Sequence, residues 1–495
     1  MSVRAMLVSI VALATFSCGG SSPETATGTG GASVTSSQAS TSDASSSSAV
    51  ASSSSSTGGV GGAGGAAPKP DLVLDVEAPP ASWSFERGSL VLHAHVRAPE
   101  GSSLELADAD GTLDQASTGS IDGTTDQTVE LTVPFARGPH DLEIHLRAED
   151  GREAQRALHV HGGRQVAATL EHMLAIKNGT LYDWGGGSPE LRSWPELAQT
   201  TAIHARSSIS IAVAIDREGD AYAIDLVEGV ADPLLTGEDI VAAALGGGHV
   251  LLLRADGILR VAGANDVGQL GLGSTEAIDG FATVTGVSGI VAVGATDDAS
   301  YAVREDGVLF AWGGNESGEL GLGVEDAAPH ATPAIVPTVS DVIGVAGGRS
   351  HVLALRRDGA VLAWGTGSSG QLGDGTSGIL ADKSQPIKTM SAVPMLDVFA
   401  AGNASFALGE DGALWAWGQN SGAQLGVGDT TQRVLPTRNG VDFARALGAG
   451  PTGSMAVDLT DRVFAWGANT SGQLALPLPP DGPTRSTTPI EIVLP

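Results

Sequence analysis

The sequence predicts an all-β chain, in which a small sandwich of short strands is followed by a ring of seven repeated β units. Three observations lead there. Trp-Gly recurs at Trp184-Gly185, Trp312-Gly313, Trp364-Gly365, Trp417-Gly418 and Trp466-Gly467. A turn and an apolar strand precede most of these pairs, at Asn178-Gly179, Asp306-Gly307, Asp358-Gly359 and Asp411-Gly412. Glycine is abundant at 69 residues while aromatics reach only 4%, a balance that suits many short strands joined by tight turns.

The chain opens on a targeting segment. Arg4 supplies a positive start and Met6 to Phe16 a short apolar run. That run is too short for a bilayer-spanning helix, which needs about 20 residues. It ends in Ser17-Cys18-Gly19, which resembles a bacterial lipobox, although Thr15 stands where that pattern prefers Leu. Residues 1–18 therefore read as a lipoprotein signal peptide, with Cys18 as the lipid attachment site. Cys18 is the only cysteine, which rules out an intrachain disulfide and a cysteine-based metal cluster. The expected address is the bacterial cell envelope, at the outer membrane or cell surface, with simple secretion as the alternative.

Residues 19–69 are nearly all Ser, Gly, Ala and Thr. So few large apolar groups cannot offset chain entropy, so this stretch is expected to be a disordered tether. Residues 70–163 read as an immunoglobulin-like sandwich. Period-2 alternation runs through Ser89 to Val96, Asp141 to Leu146 and Arg156 to His161, with Gly turns between. His93, His95, His145, His159 and His161 fall opposite the apolar residues of their strands, as exposed polar alternation would place them. Asp108-Ala109-Asp110-Gly111 reads as a β-turn. No metal and no cofactor are expected.

Residues 164–495 carry the repeats. The glycine after each Trp, or its equivalent, marks the register at Gly185, near Ile224, and at Gly263, Gly313, Gly365, Gly418 and Gly467, spaced by about 39 to 53 residues. In one unit, Val345 to Gly348 ends a first strand, His351 to Leu355 forms a second, and Ala360 to Trp364 a third after the Asp358-Gly359 hairpin. The loop after Trp-Gly ends in Gly370-Gln371-Leu372-Gly373. Its relatives are Gly268 to Gly271, Gly318 to Gly321, Gln424 to Gly426 and Gly472 to Leu474. The Leu reads as a buried plug, contributing about 1.5–3 kcal/mol if fully covered. The second unit is degenerate, with Asp220 to Ile224 in the Trp-Gly place, and the seventh has Asp461 for the hairpin glycine.

Together these features resemble the regulator of chromosome condensation repeat: the Asp-Gly turn, the Trp-Gly pair, and the stretches Asn265 to Gly271 and Asn315 to Gly321. The resemblance covers roughly residues 165–495 and implies a seven-bladed β-propeller. In this family a strand from one terminus often closes the ring. Thr488 to Val493 resembles Thr332 to Pro337, and is expected to pair into the blade that begins near Val166. The family's namesake exchanges guanine nucleotide on a small GTPase, but its exchange residues do not map onto these loops one by one. Some bacterial propellers of this shape inhibit β-lactamases through one rim.

The formal net charge of −30 repels nucleic acid phosphates and points to a cationic partner. No nucleic acid is expected as partner, and the membrane is reached only through the lipid anchor. Arg192, Trp194 and Arg349 lie near loops or strand ends and are candidates for a partner surface, since Trp and Arg are frequent interface anchors. His249 and His351 occupy equivalent places, where a structural hydrogen bond is expected. The chain thus reads as a non-enzymatic binding or scaffold protein that recognises a protein or surface ligand through propeller rim loops. The alternatives are an enzyme acting on polysaccharide or peptide, a propeller-type enzyme inhibitor, or a structural envelope component.

Overall fold

The computed structural model describes strands within residues 73–162 and, from 165 to 495, all residues but 207–209, 443 and 459. The signal segment, Cys18 and the Ser/Gly-rich tether lie outside the described residues.

Seven N-terminal strands are described: β1 (Val73–Glu77), β2 (Ser89–Arg97), β3 (Ser103–Asp108), β4 (Thr118–Ser120), β5 (Gln127–Pro134), β6 (Gly138–Arg147) and β7 (Glu153–Gly162). They form two antiparallel sheets, in the orders β1-β2-β5 and β4-β3-β6-β7. Alternation works as the sequence suggests where burial is described: Ile144 and Leu146 are fully buried, with His145 between them half-buried.

The remainder is a seven-bladed β-propeller, each blade a four-stranded antiparallel sheet. The blades occupy residues 166–193, 200–235, 240–283, 290–335, 342–388, 395–442 and 444–492. In the fourth blade the strands run Ile290–Ala295, Ala299–Arg304, Leu309–Asn315 and Asp326–Ile335, from the centre outward. The first strands of all seven blades line a central cavity, walled mostly by Ala, Gly and Val. The hairpin glycines take positive φ, at +82° for Gly307 and +75° for Gly359. Where the seventh blade lacks that glycine, Asp461 itself adopts φ +62°.

The inner strands of each blade are apolar on both faces, so the core is divided among the seams. Leu270, Val261 and Leu251 of the third blade pack with Trp312, Phe310 and Val293 of the fourth. Val166, Met173 and Trp184 of the first pack with Met455, Leu474 and Ile492 of the seventh. The edges of the outer strands carry prolines, among them Pro233, Pro333, Pro386, Pro436 and Pro489. Proline removes a backbone donor, which blunts an exposed edge against pairing with other chains.

Pairing of the C-terminal strand with the first blade, expected from sequence, does not occur. Arg485–Ile492 pairs with Val463–Ala468 and is the outer strand of the seventh blade. The first blade already has its own outer strand, Ser188–Ser193. The likeness to Thr332 to Pro337 has a local cause, since that segment overlaps the outer strand of the fourth blade. In both blades the pairing to the third strand skips a register around the Trp, at Ala311/Gly313 and Ala465/Gly467.

Candidate functional site

Two kinds of loop emerge on one end of the ring: the link between first and second strands, and the long loop after each Trp-Gly. Their geometry begins with the Trp. In the five blades that carry it, the Trp indole N–H donates to the backbone carbonyl of the Gln or Glu in the preceding blade's loop: Trp312 to Gln269 at 2.9 Å, Trp364 to Glu319 at 2.6 Å, Trp417 to Gln371 at 2.9 Å and Trp466 to Gln424 at 2.8 Å. Trp184 to Gln473 at 2.8 Å closes the series. All five rings are essentially buried. In four of the five loops a glycine follows the Leu plug, where this contact leaves little room for a side chain. A Cβ on Gly373 would lie 2.9 Å from the Trp417 indole nitrogen, at φ +67°.

The loop is folded by its own polar side chains. Asn420 Oδ1 accepts from the Leu425 amide at 3.0 Å, while its Nδ2 donates to the carbonyls of Asp429 and Thr431. Asn265, Asn315 and Asn469 cradle Leu270, Leu320 and Leu474 in the same way. The Gln two residues after the loop's turn accepts from that turn, as in Ser471 N to Gln473 Oε1 at 2.8 Å. In the last two blades its amide also donates to the next blade, Gln424 to Pro451 O at 2.9 Å and Gln473 to Leu170 O at 3.3 Å.

His249 and His351 are part of the same stitching. Each is buried, and its Nε2 meets the hydroxyl of Ser300 at 2.8 Å or Ser405 at 2.9 Å. Those hydroxyls donate onward to the carbonyls of Gln269 and Gln371. The serine proton is thereby committed, so Nε2 carries the histidine's own proton and donates. Burial first, then the Arg206 charge, drives both imidazoles down to about 3, so they stay neutral. Ser300 and Ser405 are 0% exposed, so neither pair can meet a substrate.

At the loop end of the central cavity, Arg206 reaches across the ring. It leaves the first strand of the second blade and donates to the Asp297 carboxylate and the Ala295 carbonyl of the fourth blade, and to Gly348 O of the fifth. Arg349 approaches the same carboxylate at 3.5 Å and is 63% exposed at its side chain. Backbone bonds link successive loops here, Gly247 N to Asp297 O, Asp297 N to Arg349 O and Arg349 N to Gly402 O. Sequence reading found Arg349 but missed Arg206. The available signal was an arginine at a strand end where other blades have Gly246, Thr296, Gly348, Gly402 or Gly450.

Arg192 and Trp194 meet on the first blade, well separated in sequence from Arg349. Asp183, 2% exposed, accepts both Arg192 Nε at 2.8 Å and Trp194 Nε1 at 2.8 Å, and lies 3.4 Å from His172 Nδ1. Burial opposes its ionisation, yet His172 beside it and the hydrogen bonds from Arg192 and Trp194 hold the carboxyl below the usual carboxylate range. The Arg192 guanidinium stacks 4.5 Å from the Trp194 ring centre. Trp194 is only 2% exposed, so it is a packing residue rather than an anchor offered to a partner, while Arg192 remains partly exposed above it. Among the described residues no group of three metal-ligating side chains comes together.

A ring of four-stranded blades stitched by Trp-to-loop-carbonyl bonds defines a class of repeat propeller. The RCC1-like domain matches residues 220–493, and the chain belongs to that family. It is 34% identical over 153 residues to the probable E3 ubiquitin-protein ligase HERC6 of Homo sapiens, covering 30% of this chain and 15% of that protein. The match to the ultraviolet-B receptor UVR8 of Arabidopsis thaliana is 28% identical over 351 residues, 63% of this chain and 78% of the receptor. The chain thus spans a small fraction of the ligase and most of the receptor. Among solved structures, yeast RCC1 (Prp20) bound to Kap60 aligns with a TM-score of 0.56 at 18% identity, over 66% of this chain and 87% of that one.

Proposed function

We propose that this chain is a lipid-anchored, extracytoplasmic binding protein whose propeller recognises a protein partner through its loop end. The carrying observation is where the repeat's polar side chains go. Trp, Asn and Gln are engaged inside the seams, and what remains outward is a rim of charged loops. Asp266, Asp298 and Glu316 are exposed there, beside Arg349, which suits a partner with cationic groups. Protein binding also fits the family: the related yeast propeller is held in complex with Kap60. The burial of both His–Ser pairs supports a binder over a hydrolase of polysaccharide or peptide.

The anchor rests on sequence. Arg4, the apolar run to Phe16 and the single Cys18 after Ser17 support export and lipidation, and residues 19–69 would hold the folded part off the membrane. We read the two N-terminal sheets as an immunoglobulin-like sandwich. Their orders send β2 and β3, and β5 and β6, to opposite sheets, as Greek-key connections do.

The test compares wild type with Cys18→Ala by fatty-acid labelling and surface protease access, and with Asp266→Lys/Glu316→Lys by capture of surface proteins. Labelled, surface-exposed wild type, an unlabelled released Cys18 variant, and a captured protein lost on the double charge reversal are expected. Protein that stays in the cytoplasm, or capture indifferent to rim charge, would overturn the reading.

A further inference from the structure

Asparagine clamps the loop after Trp-Gly in four blades, but the fifth has Gly367 in that place. The chain itself fills the space of the missing side chain, since a Cβ on Gly367 would collide with the Ala381 carbonyl oxygen. The Gly367 amide donates to Asp382 Oδ1 at 2.8 Å, and the Gly378 amide to the Ser368 carbonyl at 2.9 Å. The Ala381 amide donates to the Gly378 carbonyl at 3.1 Å, which closes a β-turn with Ile379 and Leu380 at its two central positions. Ala381 is buried and its carbonyl accepts from Lys383 Nζ at 3.1 Å, so the turn stands on a fixed base. Turn centres favour Gly, Asn, Asp, Ser and Pro, which supply the needed φ or bond to their own backbone. Here Ile379 and Leu380 take those places, 93% and 90% exposed. The stretches that Asn265 and Asn420 hold in the third and sixth blades, Ser274 to Glu276 and Asp429 to Thr431, are polar. A single exposed aliphatic is ordinary, but two neighbours raised on a hydrogen-bonded turn contribute nothing to the core.

We propose that the Ile379–Leu380 turn is a recognition key, which inserts both aliphatic side chains into an apolar pocket of a partner protein whose lip carries Lys or Arg. This rests on the reading that the loop end binds a protein. Charge around the turn selects the lip. Lys383 is committed to the Ala381 carbonyl and lies 3.9 Å from Asp374. Arg433, across the seam in the sixth blade, is bound to Asp429 and to the Thr431 carbonyl. Asp382 is exposed two residues after Leu380 and has no basic partner among the described residues, so a cation on the partner would complete it. Met390 and Leu435 are exposed on either side of Gly375, whose Cβ would lie 3.8 Å from each, and add apolar surface along the same seam. Because the base of the turn is already held, little ordering is needed on binding. A bilayer is the poorer occupant, since the Asp382 carboxylate and a net charge of −30 resist approach to an anionic surface.

The experiment replaces Leu380 by a photo-cross-linking amino acid in the full chain, in the cells that make it, with the exposed Val227 of the second blade as the control position. The protein joined at position 380 is identified, purified and titrated against wild type, Ile379→Ser/Leu380→Ser and Asp382→Asn. A protein adduct at 380 that is absent at 227 is expected. The double serine variant is expected to bind it about a hundredfold more weakly, with an unchanged melting temperature because both side chains are exposed. Asp382→Asn keeps the acceptor for Gly367 and is expected to bind about threefold more weakly at low salt and like wild type at high salt. An unchanged affinity for Asp382→Asn would overturn the basic lip. No adduct above that at 227, or an adduct with phospholipid in place of protein, would overturn the key. A partner that binds the double serine variant like wild type but is lost on Asp266→Lys/Glu316→Lys would overturn the key and leave the loop-end reading standing. Loss on neither would overturn both.

Discussion

The indole nitrogen of Trp184 donates to the backbone carbonyl of Gln473 at 2.8 Å, tying the first blade to the seventh across 289 residues. The seam that closes the ring is therefore built like the four between the third and seventh blades. A further bond, from Lys177 Nζ to Leu494 O at 2.7 Å, lies at the same junction.

Removing the indole donor is expected to matter most there. The Gln269 carbonyl accepts from Ser300 as well as Trp312, and the Glu319 carbonyl from Tyr301 as well as Trp364. Gln473 O has Trp184 as its only side-chain donor among the described residues. Trp184→Phe is expected to cost about 1–3 kcal/mol through the buried, unsatisfied carbonyl, and Trp364→Phe less. Urea unfolding of both variants checks the order, and an equal or inverted cost would contradict it.

The buried histidines make stability fall in acid. Their ordinary value is 6.5 and the folded value about 3, so the unfolded chain binds protons that the folded one refuses. The stabilisation is complete above pH 6.5 and declines as pH drops toward 3. Glu319 runs the other way, losing stability as pH rises from 4.5 through about 7. His351→Ala recreates the sixth blade's arrangement, where Ala404 stands in that place and Ser454 still bonds Gln424 O at 3.1 Å. It is expected to shallow the acid-side decline between about pH 6 and 4, followed by thermal melting. A slope unchanged from wild type would contradict it.

The glycine after each Leu plug offers a paired test. Gly373→Ala forces a methyl against the Trp417 indole at positive φ, and is expected to cost more than about 1 kcal/mol. The seventh blade already carries Ala475 there, at φ +51°. Ala475→Gly relieves that backbone while giving up a small apolar contact, so a change within about 1 kcal/mol is expected. Melting temperatures distinguish the two, and equal losses would refute the contact argument.

Arg206 holds three partners across the cavity mouth, and its side chain is 5% exposed. Arg206→Met keeps much of the volume but leaves the Asp297 carboxylate to Arg349 alone and the Ala295 and Gly348 carbonyls without their side-chain donor. A loss of about 2–4 kcal/mol is expected, together with a rise in the His249 value, because the Arg206 charge now lowers it. NMR titration of His249 reads the second effect, and an unmoved imidazole would count against it.

Much of this was legible in the sequence because it depends on local chemistry. Asp358-Gly359 marks a hairpin and Trp364-Gly365 the end of a third strand, since each needs a particular backbone or a large buried ring. The fourth strands were not legible. Lys383–Lys388 is half-exposed, contains Pro386 and shows no apolar alternation, so it reads as a connector. That gap is what misdirected the C-terminal strand. Trp194 was misread for a different reason: its partner Asp183 becomes visible only when the first blade's outer strand folds back onto it. The same holds for Arg206, whose acceptors come from blades far away in sequence.

Because the closing seam exchanges no strand, each blade is a contiguous piece of polypeptide, from 166–193 through 444–492. Cutting the ring at any connection between blades and joining residues 165 and 495 with a linker would divide none of them. A circular permutant opened there would keep every sheet whole, so the order in which blades are read from the gene is not a property that the ring itself depends on.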